Sequence, residues 1–310
     1  MIRQLPLRVV SLAVAALGGA FITFVLGYYG PGDPVRNILG LEFGTAHEAQ
    51  SLRHAYGLDR PILTQFGDYI WHALHGDLGT SWQKGRPVAI LVSHGLGITI
   101  QLGGAAIVLM IVLGIPLGVI AALNHNKLVD RVIVIFFIIV HAVPPYVLGP
   151  LLLVIGVLWL HLVPVTVHWD GLFSTTTIIP VVTLALGPLV FIIRQMRNSV
   201  LEVLSEQHIL TAEALGLPLR VVLVRHVLPN AIGPVVNQLG LAIGGLLAAT
   251  VFVESIFNIP GFGSLLYNSV QTQDYPLLVG STLVAIVFMS IVFLLTDIVH
   301  ALFDPRIKWR

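Results

Sequence analysis

LGITIQLGGAAIVLMIVLGIPLGVIAAL, residues 96 to 123, contains no Asp, Glu, Lys or Arg. A bilayer core about 30 Å thick is crossed by about 20 mostly apolar residues in a helix, and this stretch meets that length. Working outward, five more runs pass the same test: about Leu5 to Tyr29, Val132 to Leu160, about Thr176 to Ile193, about Ala231 to Val253, and about Leu277 to Leu302. Only the last holds an acidic residue, Asp297. The chain therefore reads as an all-α polytopic membrane protein with about six spans. Its start, MIRQLPLR, is followed by an apolar stretch longer than the roughly 7–15 residues of a secretory signal, so the first segment (1–30) is expected to be a retained anchor.

Composition points the same way. Hydrophobic residues make up 56% of the chain and charged residues 10%, and the mean hydropathy is +0.92. That leaves too little polar surface to coat a soluble globule of this length. A net charge of +1 gives no basic excess directed at nucleic acid. Cysteine is absent, which excludes disulfides, zinc-thiolate sites and iron–sulfur clusters. No cofactor and no metal site is expected. His72 and His75 share one helical face, but two ligands alone make a weak site.

Basic residues near short loops mark the cytoplasmic side. Arg3, Arg8, Lys127, Arg131, Arg194, Arg197, Arg220, Arg225, Arg306, Lys308 and Arg310 all fall on one side of a six-span arrangement, and the short loops after spans three and five have no Lys or Arg. Both termini, including the tail 304–310, are expected inside the cell membrane. Residues 31–95 then form an external module. Within it, EAQSLRHAYGLD and PILTQFGDYIWHAL space apolar residues by three and four, which predicts short amphipathic helices punctuated by Gly57, Pro61 and Gly76. Such a module either covers the mouth of the helix bundle or offers a partner a docking surface.

The core, 96–303, contains one long internal loop, 194–230: RQMRNSVLEVLSEQHILTAEALGLPLRVVLVRHVLPN. Val200, Leu201, Val203, Leu204, Ile209, Leu210, Ala212, Ala214 and Leu215 supply an apolar helical stripe that Gly216 and Pro218 end. A second short helix is predicted from Pro218 through Arg225 toward Leu228 and Pro229. Helix, glycine turn and helix outside the bilayer make a knob that can seat in a groove of a soluble protein.

This loop resembles the EAA loop of ABC-transporter permease subunits. With Gly216 on the motif's glycine, Leu228 and Pro229 fall on its final pair and Ala212 on its last alanine, while Leu210, Thr211 and His226 replace the glutamate, first alanine and isoleucine. Among permeases it is most similar to the dipeptide, oligopeptide and nickel importer family. HILTAEALGL, His208 to Leu217, keeps that family's Thr211, Ala212, Ala214 and Gly216 and has Leu210, Glu213 and Leu215 at its basic positions. GDP at Gly32–Pro34, YGLDRP at Tyr56–Pro61, GDLGTS at Gly76–Ser81, Pro87-Val88, VESIFNIPGFG at Val253–Gly263, Asp274-Tyr275-Pro276 and the closing DPRIKWR extend the likeness over the whole chain.

The resemblance implies a type I ABC importer permease, not an enzyme, that forms half of a translocation pathway. It implies a second, different homologous permease, two ATPases beneath and an extracytoplasmic solute-binding protein above. The cargo implied is a di- or oligopeptide, with a nickel chelate or another small solute as the alternative. Thr211, Ala212, Glu213, Ala214, Gly216, Leu217, Pro218, Leu228 and Pro229 are the implied ATPase-coupling residues. No GxxxxGK[ST] run is present, so energy must enter from a partner. An ion-coupled secondary transporter is the rival reading, but Asp297 is the single notable membrane carboxylate and no inverted repeat is evident.

Polar groups at membrane depth usually face a bundle interior. Span five carries Asn230, Asn237 and Gln238, and each of the last two either lines the conduit or bridges helices. Glu254 beside Asn-Ile-Pro260-Gly261-Phe-Gly263 is either an external gate or a carboxylate capping nearby amides, with Pro260 expected to stop the helix. His141 with Pro144 and Pro145 predicts a kink in span three, His141 itself being a core histidine or a proton relay. Asp297 and His300 share a face three residues apart.

Overall fold

A computed structural model describes residues 5–29, 50–51, 54, 59–161 and 169–303, with the side chains of 5–9, 12, 28–29 and 297–303 left aside. The helices are α1 (Leu5–Tyr29), α2 (Ile62–Leu74), α3 (Val88–Leu123), α4 (Leu128–Ala142), α5 (Pro145–Val154), α6 (Ile178–Leu204), α7 (Gln207–Ala214), α8 (Leu219–Val222), α9 (Leu228–Ile256), α10 (Phe262–Gln271) and α11 (Tyr275–Phe303). Among the described residues the β pairing is confined to a bridge between Thr80 and Pro87. Four described helices are long and apolar enough to cross a membrane, five when the bent pair α4–α5 counts as one span. α1 coincides with the first expected span. Large apolar side chains such as Val108, Val112, Phe136 and Ile139 lie exposed on these helices. That is costly in water and neutral against lipid tails.

The expected kink in span three is a full break. α4 and α5 (with a π-helical turn at Ile155–Trp159) meet at 107°. Val143 and Pro144 sit in extended conformation between them, because Pro145 disfavours helix at the preceding residue and two successive prolines offer no N–H to the ladder.

Two compact units divide the chain: Met1–Thr99 with Pro260–Ile291, and Ile100–Ile259 with Val292–Arg310. In the first, Phe24, Tyr275 and Val279 are buried against Ile62, Phe66, Tyr69 and Trp82. The Tyr275 hydroxyl donates to the Phe24 carbonyl at 3.0 Å. α2 coincides with the second amphipathic helix expected within residues 31–95; the first, EAQSLRHAYGLD, lies mostly outside the described residues. His72 and His75 each turn Nδ1 to a backbone carbonyl of their own helix, Asp68 at 2.7 Å and Trp71 at 2.8 Å.

In the second unit α3 and α6 approach through glycine. A Cβ at Gly114 would lie 2.6 Å from Ile192 Cγ2, and one at Gly118 would lie 2.6 Å from Met196 Cβ and 2.8 Å from the Ile193 carbonyl oxygen. In lipid no hydrophobic gain draws helices together, so close packing at small residues four apart supplies the attraction.

Candidate coupling elbow and the polar groups of the spans

α6 runs on past the expected end of span four to Leu204, and the single stripe foreseen through residue 215 is broken there. Ser205 closes α6 and Glu206, in extended conformation, opens α7. The Ser205 hydroxyl donates to the Glu202 carbonyl at 2.6 Å, a local bond that competes with helix continuation. The break reorients α7, so the stripe splits. Val200, Val203, Ile209 and Ala212 are buried, whereas Leu210, Ala214 and Leu215 are exposed.

Gly216 ends α7 in the left-handed region, at φ 75°. Its N–H donates to the Glu213 carbonyl at 2.9 Å, and the Leu217 N–H donates to the Ala212 carbonyl at 3.3 Å, the paired closure of a Schellman motif. Among the described residues nothing but its own chain neighbours comes within 4 Å of a Cβ built at Gly216, so glycine is required there by φ and not by space. Pro218 then caps α8. The second short helix does not stop at Leu228-Pro229: a π-helical turn at Leu223–Val227 joins α8 to α9, giving one apolar helix from Leu219 to Ile256. Pro229 follows directly on this π-helical turn, where the regular i to i−4 ladder is already interrupted.

The elbow is rooted by one apolar cluster of Ile209, Ala212, Val222 and Val227 against Met196, Val200 and Ala231. Its outer surface carries Leu210, Leu215, Leu217 and Leu219, 54%, 77%, 38% and 54% exposed. Thr211, Glu213 and Pro218 are exposed with them. Thr211 turns its hydroxyl to the Gln207 carbonyl at 2.9 Å. The arrangement is an elbow rooted at the ends of two long helices, with leucines prominent on its outer face.

Asn237 is exposed on α9 and Gln238 half-buried. Asn230, Pro234, Asn237, Leu241, Gly245, Ala248 and Phe252 recur at intervals of three and four and are all exposed, so α9 presents one continuous open stripe. Asn230 itself donates to the His226 carbonyl at 2.6 Å. Glu254 is fully buried in the last turn of α9. The helix ends at Ile256, ahead of Pro260: Asn258 enters the left-handed region at φ 50°, and the Ile259 N–H donates to the Glu254 carbonyl at 2.8 Å. Gly261 precedes α10 in extended conformation. A Cβ at Gly95 would lie 3.0 Å from the Phe262 backbone, and the Thr99 hydroxyl accepts the Phe262 N–H at 2.9 Å, so α3 seats the start of α10 directly. His141, in the last turn of α4, bonds through Nδ1 to the Gly187 carbonyl of α6 at 2.8 Å and meets the Phe191 ring edge-on. The side chains of Asp297 and His300 lie outside the described set.

Sequence reasoning passed over Asp130. It is 3% exposed and accepts from Arg197 Nε at 2.6 Å, Arg197 Nη2 at 2.7 Å and the Asn126 N–H at 3.0 Å. The available signal was a lone acid in the basic turn NKLVDR.

Several helices long and apolar enough to cross a membrane, with a rooted elbow between two of them, define the class as a polytopic membrane protein. Residues 114–309 match the binding-protein-dependent transport system inner membrane component family and residues 1–103 match its N-terminal membrane-component model, and the chain belongs to this family. It is 34% identical over 93% of both chains to the dipeptide transport system permease protein DppB of Lactococcus lactis subsp. cremoris. Against the DppB of Escherichia coli K12 it is 33% identical over 99% of each chain, and against the nickel import system permease protein NikB of Staphylococcus aureus 30% over 99% of this chain and 92% of that one. The inward-facing MetNI methionine ABC transporter shares the fold, with a TM-score of 0.58 at 15% identity over 69% of this chain and 96% of that chain. The protein is thus a multi-pass membrane permease subunit of an ABC importer, a transporter and not itself an enzyme, working with ATPase and binding-protein partners.

Proposed function

We propose that the chain forms one half of a peptide pathway, paired with a different homologous permease, and that the elbow around Gly216 is the point at which ATPase motion enters. The observation that carries this reading is the elbow's two-sidedness. Ile209, Ala212, Val222 and Val227 are anchored among the span residues, while Leu210, Leu215, Leu217 and Leu219 stand out for a partner groove. The elbow and both termini lie in the cytosol in this reading, supported by the basic residues around them. Leu210 and Leu215 put apolar groups, and Glu213 a carboxylate, where the family has basic side chains, so the contact relies on shape complementarity in place of basic charge.

The open stripe of α9 around Asn237 lines the conduit, since an exposed amide at that depth favours water or a polar cargo over lipid. Dipeptide cargo is supported by the relatives named for it, and the nickel relative favours a metal chelate as the second reading. The test is reconstitution with the partner permease, ATPases and binding protein. Labelled dipeptide should enter only with ATP, and Gly216→Trp should uncouple hydrolysis from entry. Uptake driven by an ion gradient without ATPases overturns the reading, and ATP-driven nickel uptake without peptide uptake replaces its cargo.

A further inference from the structure

α3 and α4 are joined by the turn Asn124–Lys127, and the turn is bound to α6 by a charged joint. Arg197 offers Nε and Nη2 side by side to the two oxygens of Asp130, the planar fork-on-fork geometry that fixes orientation as well as distance. The same Nη2 donates to His125 Nδ1 at 2.9 Å, and Nη1 donates to Asn198 Oδ1 at 3.3 Å. Because a guanidinium only donates, His125 must accept at Nδ1. Asn126, at φ 64°, turns its N–H onto Asp130 Oδ2, which stands in the first turn of α4 where a carboxylate also favours the helix dipole.

The position of this joint is informative. Arg197 follows Met196, whose side chain packs against Gly118 of α3, and precedes Val200 and Val203, which root the elbow. The joint therefore stands between the elbow and the glycine-packed seam of α3 and α6. Apolar packing resists separation of two helices but resists sliding along them weakly, whereas a bidentate ion pair has one favoured register.

We propose that Asp130 and Arg197 are positioning residues for energy coupling: they lock the α3–α4 turn to the base of the elbow, so that displacement of the elbow moves α3, α4 and α6 as one body. The proposal rests on the elbow reading above, and concerns what happens after the ATPase has engaged it.

The experiment uses the complete reconstituted complex and reads two quantities, ATPase co-purification and cargo imported per ATP hydrolysed. Asp130→Asn and Arg197→Met should retain the ATPases at wild-type stoichiometry while cargo per ATP falls about 5- to 150-fold, the span of coupling energies between discrete states. The chain has no cysteine, so the double variant Asp130→Cys with Arg197→Cys carries the only two thiols on this subunit. It should be uncoupled when reduced, recover when a bis-methanethiosulfonate bridges the pair, and lose coupling again on reduction. Wild-type coupling in Asp130→Asn overturns the proposal, as does failure of the bridged pair to recover. Loss of ATPase co-purification in Asp130→Asn also overturns it, because the pair would then shape the elbow and not transmit its motion. A Gly216→Trp complex that couples normally instead overturns the elbow reading, whatever the joint variants do.

Discussion

The Ser81 hydroxyl donates to Asp274 Oδ2 at 2.5 Å across 193 residues of chain. Asp274 is fully buried and also accepts the Trp82 N–H at 3.1 Å, the Gln83 N–H at 3.3 Å and the Leu277 N–H at 3.4 Å. One carboxylate thus satisfies the loop Gly76–Ser81 leads into and the first turn of α11. Replacing it with Ala orphans these donors, at about 1–3 kcal/mol for each buried group left without a partner. Asp274→Ala is expected to lower the thermal midpoint in detergent markedly, and Asp274→Asn by less.

Gly216 gives a different kind of loss. Its surroundings are open, so Gly216→Ala is opposed only by the left-handed backbone, at about 1–2 kcal/mol. Gly216→Asn should be milder, because asparagine visits that region. The ordering Gly, Asn, Ala in cargo imported per ATP is the expected outcome.

Inside and outside of the elbow should separate cleanly. Ile209 is fully buried, and Ile209→Ala should cost about 2–5 kcal/mol of stability. Leu215 is 77% exposed, so Leu215→Ala should leave thermal stability within about 0.5 kcal/mol of wild type while weakening ATPase binding. Unfolding of the subunit and co-purification of the complex measure the two effects.

At Gly118 the limit is space. A Cβ there meets Met196 Cβ and the Ile193 carbonyl, and a backbone oxygen cannot rotate aside. Gly118→Ala is expected to cost about 1–3 kcal/mol through overpacking. Gly103→Ala, where a Cβ would meet none of the described residues outside its own helix turn within 4 Å, serves as control and should be neutral or mildly stabilising.

Tyr69 makes the first compact unit sensitive to alkaline pH. Burial pushes its phenol above the usual tyrosine range, with Asp77 adding to the rise, and among the described residues its hydroxyl finds no partner. A neutral acid whose folded pKa exceeds its unfolded value of 10.0 leaves stability untouched below that pH and removes it as pH rises beyond. A difference titration against Tyr69→Phe should show this phenol ionising at higher pH than a free tyrosine. Tyr69→Phe should raise stability at high pH and leave it unchanged or higher at neutral pH.

Span positions, the amphipathic α2 and the glycine-closed end of α7 were legible in the residues, because each depends on chemistry summed over neighbours along one helix. Gly216 needed nothing more than its place after a periodic run and before a proline. The order of the spans and the family motifs were legible for the same reason.

Tertiary structure decided the rest. Whether Leu210 and Leu215 join the buried stripe depended on the break at Ser205, and whether Pro144 and Pro145 kink or part a span depended on the packing of both halves. Asp130 went unread in the sequence, and Asp274 stood there only as part of the Asp274-Tyr275-Pro276 motif. Each became a keystone only when a partner 67 or 193 residues away was brought to it. Hydropathy is a local sum and survives without a fold, whereas the meeting of two charged or hydrogen-bonding groups is a property of distance, which the folded chain alone supplies.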